Sequence, residues 1–109
     1  MDMNAPHIDV IKKAMQLLKD RGAAYGGVEE SFTRAASIST LWLDRPISAR
    51  DVAVILAAVK MSRIAKTPGH EDSFVDMVNY VAFAAAFSKG DGIDGLAAAV
   101  KSALESPDA

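Results

Sequence analysis

Four charged side chains lie within the two most hydrophobic segments of the sequence. Lys60 and Arg63 interrupt the first segment, and Asp72 and Asp76 lie in the second. Residues three or four apart share one face of a helix, so each pair is predicted to point one way. A charge in a buried helix must find a partner, because an unpaired one costs several kcal/mol. The four groups therefore indicate either an internal ion-pair cluster or a site that holds an outside anion such as phosphate.

The segments that position these charges are predicted to be helices, because their apolar residues recur at spacings of three and four. Ser48 followed by Asp51 resembles a capping box and marks one helix start. No strand is predicted, so the fold class is all-α, a compact bundle of about five helices. The predicted helices cover about residues 5–19, 28–43, 49–66, 72–88 and 93–106.

The helices at about 49–66 and 72–88 are joined by the short segment TPGHE, which predicts a central antiparallel hairpin. Counting outward from the turn places Arg63 level with Asp76 and Lys60 level with Asn79. The simplest structural interpretation is that Arg63 and Asp76 neutralise each other. The uninterrupted run VAVILAAV predicts that the first helix of the hairpin is central and contacted on several sides.

Several further residues have a structural and a functional interpretation. Tyr25, Gly26 and Gly27 are predicted to form a turn, or else a flexible aromatic loop that stacks on a base. The acidic pair that follows, Glu29 and Glu30, is placed in the first turn of the second helix. His70 is interpreted as a solvated turn residue, and Trp42 as a core residue or a contact in an oligomer.

Composition bounds the remaining possibilities. A chain of 109 residues predicts a single domain over 1–109, with frayed ends at about 1–4 and 106–109. The net charge is −2 and no basic stripe is present, so DNA is not an expected partner. No apolar run is long enough to span a bilayer, and no membrane partner is expected. The absence of cysteine excludes disulfides and thiolate metal sites. The expected location is the cytoplasm.

A resemblance adds to this interpretation. The residues that carry it lie between about 21 and 87 and are Arg21, Tyr25, Gly26, Glu29, Phe32, Trp42, Lys60, Arg63, Asp72, Ser73, Asp76 and Tyr80. In this pattern the chain resembles a family of small phage and prophage proteins of undescribed function. The resemblance implies that the cytoplasm is that of the infected host cell.

The segment VDMVNYVAF is also distantly similar to the metal-binding helix of the MazG-like all-α nucleotide pyrophosphohydrolases. This similarity implies a MazG-like bundle with Asp76 at the metal-ligand position. The chain departs from that family because Lys60 and Arg63 stand where its Glu-x-x-Glu acids belong, and Ser73 replaces another Glu. Two cations repel Mg²⁺, so the resemblance points away from an enzyme and no catalytic residue is assigned.

Three functions remain open. The first is a phage-derived protein that binds a nucleotide or cyclic nucleotide of host defence and sequesters it without turnover and without a cofactor. The second is an Mg²⁺-dependent nucleoside triphosphate pyrophosphohydrolase. The third is a non-catalytic homo-oligomeric interaction protein. The candidate ligand-binding residues are Tyr25, Gly26, Lys60, Arg63, Asp72, Asp76 and Tyr80. The metal ligands of the hydrolase alternative would be Asp72, Asp76, Glu29 and Glu30.

Overall fold

A computed structural model describes residues 5–22, 24–89 and 104 of the chain. The described residues form four α-helices and no strand, which confirms the all-α class. The helices are α1 (Pro6–Asp20), α2 (Tyr25–Leu43), α3 (Ala49–Lys66) and α4 (Glu71–Lys89). The fifth predicted helix, at about 93–106, and the predicted frayed ends lie outside the described residues, apart from Leu104. None of the described helices is long and apolar enough to cross a membrane.

The start of α3 follows the local rule that the sequence suggested. The Ser48 hydroxyl accepts a hydrogen bond from the Asp51 backbone N–H at 3.0 Å, and the Asp51 carboxylate accepts one from the Ser48 N–H at 2.9 Å. This reciprocal capping box satisfies two backbone donors that the helix itself leaves without partners. The prediction of a helix over 49–66 is confirmed at both ends.

Ser48→Ala is expected to lower the free energy of unfolding by about 1 kcal/mol, because the Asp51 N–H loses its acceptor. Chemical denaturation followed by circular dichroism measures this change. Ser31→Ala is a matched control, since Ser31 is exposed within α2. An equal effect of the two substitutions would contradict a capping role for Ser48.

The start of α2 differs from the prediction. Tyr25, Gly26 and Gly27 form the first turn of α2 and not a turn or loop before it. The helix begins this early because the Tyr25 ring packs on Phe87 of α4, with their centroids 6.0 Å apart. As a result, Glu29 and Glu30 lie in the second turn of α2, which corrects their predicted place in the first. The break before α2 is at Gly22, whose φ of 59° is a left-handed conformation that glycine adopts easily.

The helices pack around α4. α3 and α4 form the antiparallel hairpin, α1 packs on α4, and α2 packs on α3. Phe32 of α2 adds aromatic contacts to α4, where its ring centroid lies 5.6 Å from Phe83 and 5.5 Å from Phe87. At the α2–α3 connection, the Thr40 hydroxyl accepts from the Ile47 N–H and donates to the Ile47 carbonyl. The central hairpin that the sequence predicted is therefore present.

The helix α3 is not contacted on several sides. It faces α4 and α2, while Val54, Ile55, Val59 and Met61 on its other side are exposed. The uninterrupted apolar run had predicted a central helix with contacts on several sides. The described residues of a single chain supply neighbours for only part of its circumference.

Candidate functional site

The charged cluster contains one ion pair between α3 and α4, and its members differ from those expected. The Lys60 Nζ lies 2.9 Å from the Asp76 Oδ2, with 16 % and 26 % of the two side chains exposed. This partly buried pair joins the middle of α3 to the second turn of α4. The predicted neutralisation of Asp76 by Arg63 is wrong.

The rotation of α3 about its axis explains the exchange of partners. Ala53, Ala57, Lys60 and Ile64 form one stripe at spacings of four, three and four, and this stripe is buried or half-buried. Arg63 lies beside the stripe and is exposed. Counting along the hairpin placed Arg63 opposite Asp76, but the rotation of α3 directs Lys60 toward Asp76 instead.

Arg63 instead lines a small cleft at the turn between α3 and α4. The cleft has a volume of about 180 Å³, and its lining residues are Arg63, Lys66, Thr67 and His70. We call it the cationic cleft. Two side chains carry positive charge, one carries a hydroxyl and one an imidazole, and no carboxylate lines it. Within the part of the chain that the structure describes, neither Arg63 nor Lys66 forms an ion pair.

His70 has a structural role that the sequence did not predict. It directly precedes α4, and its Nδ1 accepts a hydrogen bond from the Ser73 N–H at 3.3 Å. The Ser73 hydroxyl, which is buried, lies 2.7 Å from the same nitrogen. Because Nδ1 accepts, the proton of the neutral ring is carried by Nε2. The interpretation of His70 as a solvated turn residue is therefore incomplete, since its ring is fixed against the first turn of α4.

A second cleft lies between α1 and α4 and has a volume of about 380 Å³. We call it the mixed cleft, because acidic, basic and apolar side chains all line it. Its lining residues are Lys13, Leu17, Arg21, Glu71, Asp72, Val75 and Asp76. The structure thus places Asp72 in this cleft, on the α1 side of α4, and separates it from Arg63.

Lys13 and Glu71 form an exposed ion pair across the mixed cleft, with 2.6 Å between Nζ and Oε1. The hydrogen bond to Glu71 and its negative charge raise the pKa of Lys13 above its usual value. Lys13 therefore stays charged to a higher pH than an isolated lysine, and the pair is lost as the pH rises through this raised pKa. At the next residue of α1, the Ala14 carbonyl accepts a hydrogen bond from the buried Asn79 side chain at 3.1 Å, which fixes α1 on α4.

The two tyrosines belong to an aromatic cluster far from the cationic cleft. Tyr25 packs on Phe87, and the Tyr80 centroid lies 6.5 Å from that of Phe32. An α-helix rises about 1.5 Å per residue, which places Phe87 roughly 25 Å along α4 from His70. Gly26 lies in the first turn of α2, exposed and with open space around its Cα. The structure does not bring Tyr25, Gly26 or Tyr80 to Arg63.

The acids predicted for the hydrolase alternative do not converge. Glu30 pairs with Arg34 one turn along α2 at 2.9 Å. A hydrogen bond with Glu29 raises the pKa of the Tyr25 phenol above its usual value. Among the described residues, no group of three histidine, aspartate or glutamate side chains is placed to hold a metal ion. Asp72 and Asp76 share the mixed cleft, but Glu29 and Glu30 do not line it.

Comparison with known proteins identifies two similarities. A family model described as "Domain of unknown function (DUF6378)" matches residues 9–88. The "Gene 55 protein" of Mycobacterium phage D29 is 33 % identical over 72 residues, which cover 65 % of this chain and 48 % of that protein. The chain therefore spans about half the length of this curated relative. No solved structure matches the chain.

These findings support the phage part of the resemblance that the sequence suggested. The family match contains α2 and α3 completely, α4 except its last residue, and α1 from Asp9 onward, so both clefts lie inside it. Neither comparison concerns the MazG-like enzymes or a nucleotide ligand.

Proposed function

The chain belongs to the DUF6378 family, and on that premise we propose that it binds a phosphate-bearing small molecule, a nucleotide or nucleotide-like signal, through the cationic cleft. The single observation that carries the proposal is the meeting of Arg63 and Lys66 in one cleft with Thr67 and His70. An arginine presents paired N–H donors that match phosphate oxygens, and a lysine adds a compact positive charge.

The electrostatics of the described residues favour an anion in this cleft. The Lys60 ammonium is occupied by Asp76, whereas Arg63 and Lys66 have no carboxylate partner among the described side chains. The carboxylates of Glu71, Asp72 and Asp76 line the mixed cleft instead. A phosphate group is therefore attracted to the cationic cleft and repelled by the acids of the mixed cleft.

The size of the cleft limits which part of the ligand it holds. A volume of about 180 Å³ accommodates phosphate groups but is smaller than the usual range of roughly 300–1,000 Å³ for whole-ligand pockets. The base would lie on the surface outside the cleft. The predicted stacking of Tyr25 or Tyr80 on that base has no support from their positions, roughly 25 Å and 15 Å along α4 from His70.

The Lys60–Asp76 pair acts in this proposal as a positioning element and makes no ligand contact. It fixes the register of α3 against α4, and Arg63 lies one turn of α3 further along. Asp76 thus helps to place the cationic cleft at the hairpin turn without entering it.

Binding without turnover is the activity that these groups support. The similarity to a phage protein favours a role inside an infected cell, where a protein that sequesters a nucleotide signal of host defence would need binding alone. Titration with both linear and cyclic nucleotides determines which kind of nucleotide the protein binds.

Isothermal titration against inorganic phosphate, pyrophosphate and a panel of linear and cyclic nucleotides tests this proposal. Wild-type protein is expected to bind at least one of them, more weakly as salt is added because ions screen exposed charges. Arg63→Gln/Lys66→Gln is expected to lose at least tenfold in affinity, since hydrogen bonds to charged groups contribute about 1.5–3 kcal/mol each.

The matched control is Arg45→Gln/Arg50→Gln. It removes the same net charge at the opposite end of α3, where both arginines are exposed. An equal loss of affinity in the two double variants would show a general charge effect and contradict the cationic cleft. Absence of binding to the whole panel at millimolar ligand would overturn the proposed function.

A MazG-type hydrolase is the alternative, and one observation favours it: Glu71, Asp72 and Asp76 all line the mixed cleft. Their carboxylates do not converge, and Lys13 and Lys60 neutralise two of them. The donor set therefore does not fit Mg²⁺, which takes about six oxygen ligands. Release of pyrophosphate from a nucleoside triphosphate with Mg²⁺, lost in Asp76→Ala, would replace the binding proposal with this one.

A further inference from the structure

One side of α3 is exposed and without charge over three turns. We call it the outer face of α3, and its members are Val54, Ile55, Ala58, Val59, Met61, Ser62 and Ala65. The only polar group among them is one hydroxyl. A surface helix normally carries charged residues on its exposed side, so this face is unlike a solvated one.

The described part of the monomer buries very few large side chains. The buried hydrophobic residues are Ala5, Ala14, Ala36, Ala53, Val75 and Phe87. Four of these six are alanines, which contribute little apolar area. At the same time, large apolar residues on α2 and α3 are open to solvent. Burial of apolar surface is the main stabilising term of a small domain, so this core leaves little stability for a single chain.

We propose that the outer face of α3 is the interface of a homodimer, and that its occupant is the same face of a second copy. The inference does not depend on the phosphate proposal, because it rests on residues 54 to 65. The cationic cleft lies at the C-terminal end of α3, where Lys66 follows Ser62 by one turn and lies just beyond this face. A second copy would cover α3 on the side that α4 and α2 leave open.

The chemistry of the face fits self-association. In a two-fold dimer each residue near the axis meets its own copy, so a charged residue there would face a like charge. The outer face of α3 carries no charge and avoids this repulsion. Ala58, Ser62 and Ala65 run along its centre, with Ile55 and Met61 on either side. Small residues along the centre allow two helices to approach closely, and the larger ones at the margins supply apolar area.

A stable dimer needs a larger buried area than one helix face offers, so we include a second exposed apolar patch in the interface. The residues from 54 to 65 span about 18 Å of helix, whereas a standard interface buries roughly 800 Å² per partner. At the end of α2, Leu41 and Trp42 are more than four-fifths exposed, and Trp42 is 84 % exposed. They lie at the end of the α2–α3 hairpin from which α3 departs, so we include them.

Sedimentation equilibrium of the full chain measures the association directly. Wild-type protein at micromolar concentration is expected to sediment at twice the 11.5 kDa chain mass. Ile55→Glu is expected to raise the dissociation constant at least 100-fold. Ile11→Glu on α1 is the matched control, since the two isoleucines are 52 % and 56 % exposed. A folded wild-type monomer, or equal dissociation by both substitutions, would overturn the proposal.

A disulfide cross-link between two copies tests the same interface even if Ile55→Glu does not fold. The chain has no cysteine, so Ala58→Cys introduces a single thiol at the centre of the outer face. A disulfide forms readily only when the two Cα atoms approach within about 7 Å. Ala58→Cys is expected to form a covalent dimer under mild oxidation at least tenfold faster than Ser31→Cys, an exposed site on α2. Equal rates would contradict an interface centred on α3.

Discussion

Replacing Phe87 with alanine is expected to lower the free energy of unfolding by about 3 to 4 kcal/mol. Phe87 is 2 % exposed and is the largest side chain in the core of the described residues. Its ring lies 5.5 Å from that of Phe32, 6.0 Å from that of Tyr25 and 6.3 Å from that of Phe83. Truncation therefore removes the apolar burial together with the contacts that hold the first turn of α2 on α4. In a domain whose total stability is about 5–15 kcal/mol, this loss is large.

Urea denaturation at one fixed protein concentration measures the change, because association would make the midpoint depend on concentration. Phe74→Ala is the matched control, since it removes the same group from a position on the same helix that is 36 % exposed. The control is expected to cost clearly less stability than Phe87→Ala, because less of its apolar surface is buried. Similar losses for the two substitutions would contradict a core centred on the aromatic cluster.

Lys60→Met is expected to cost about 2 kcal/mol of stability, the second largest effect on the free energy of unfolding. Breaking a fully buried pair costs about 3–5 kcal/mol and an exposed one less than about 1 kcal/mol. Lys60 and Asp76 are partly buried, so an intermediate loss is expected. The loss arises because the Asp76 carboxylate remains partly buried after the substitution. It still pays the cost of desolvation but no longer has a positive charge beside it.

Lys60→Met/Asp76→Leu separates the two parts of this effect. Removing both charges also removes the unpaired carboxylate, so the double variant is expected to be more stable than Lys60→Met by at least about 1 kcal/mol. Arg63→Met serves as the control and is expected to change stability by less than about 0.5 kcal/mol, since Arg63 is exposed. A large loss in Arg63→Met with none in Lys60→Met would restore the Arg63–Asp76 pair that the structure replaces.

Local signals in the sequence predict much of the fold. The Ser48–Asp51 capping box defines the start of α3, and the Thr-Pro-Gly segment defines its end. The antiparallel hairpin follows from the shortness of that turn. These predictions succeed because the atoms that decide them are within four residues of one another.

The start of α2 and the mixed cleft depend on contacts between residues far apart in the sequence. Tyr25 begins a helix despite two following glycines because Phe87 holds its ring. Propensity alone predicts a break there, and packing between helices reverses it. The Lys13–Glu71 pair joins residues 58 positions apart, and no local pattern marks such a pair.

The sequence contains a pattern that indicates the correct partner of Asp76. Ala53, Ala57, Lys60 and Ile64 have helical spacing and indicate that Lys60, and not Arg63, points toward α4. From this stripe alone, Lys60 could have been identified as the partner of Asp76. The cationic cleft is different, because it also needs Thr67 and His70, whose positions depend on the conformation of the turn.

The most direct test of the phosphate proposal is chemical-shift mapping by NMR on the ¹⁵N-labelled chain, titrated with the tightest-binding nucleotide of the panel. The largest changes are expected at the backbone amides from Arg63 to Ser73, with much smaller changes near Tyr25 and Phe87. Changes centred on Arg21 and Asp72 in the mixed cleft, or none above those produced by added chloride, would contradict binding at the cationic cleft.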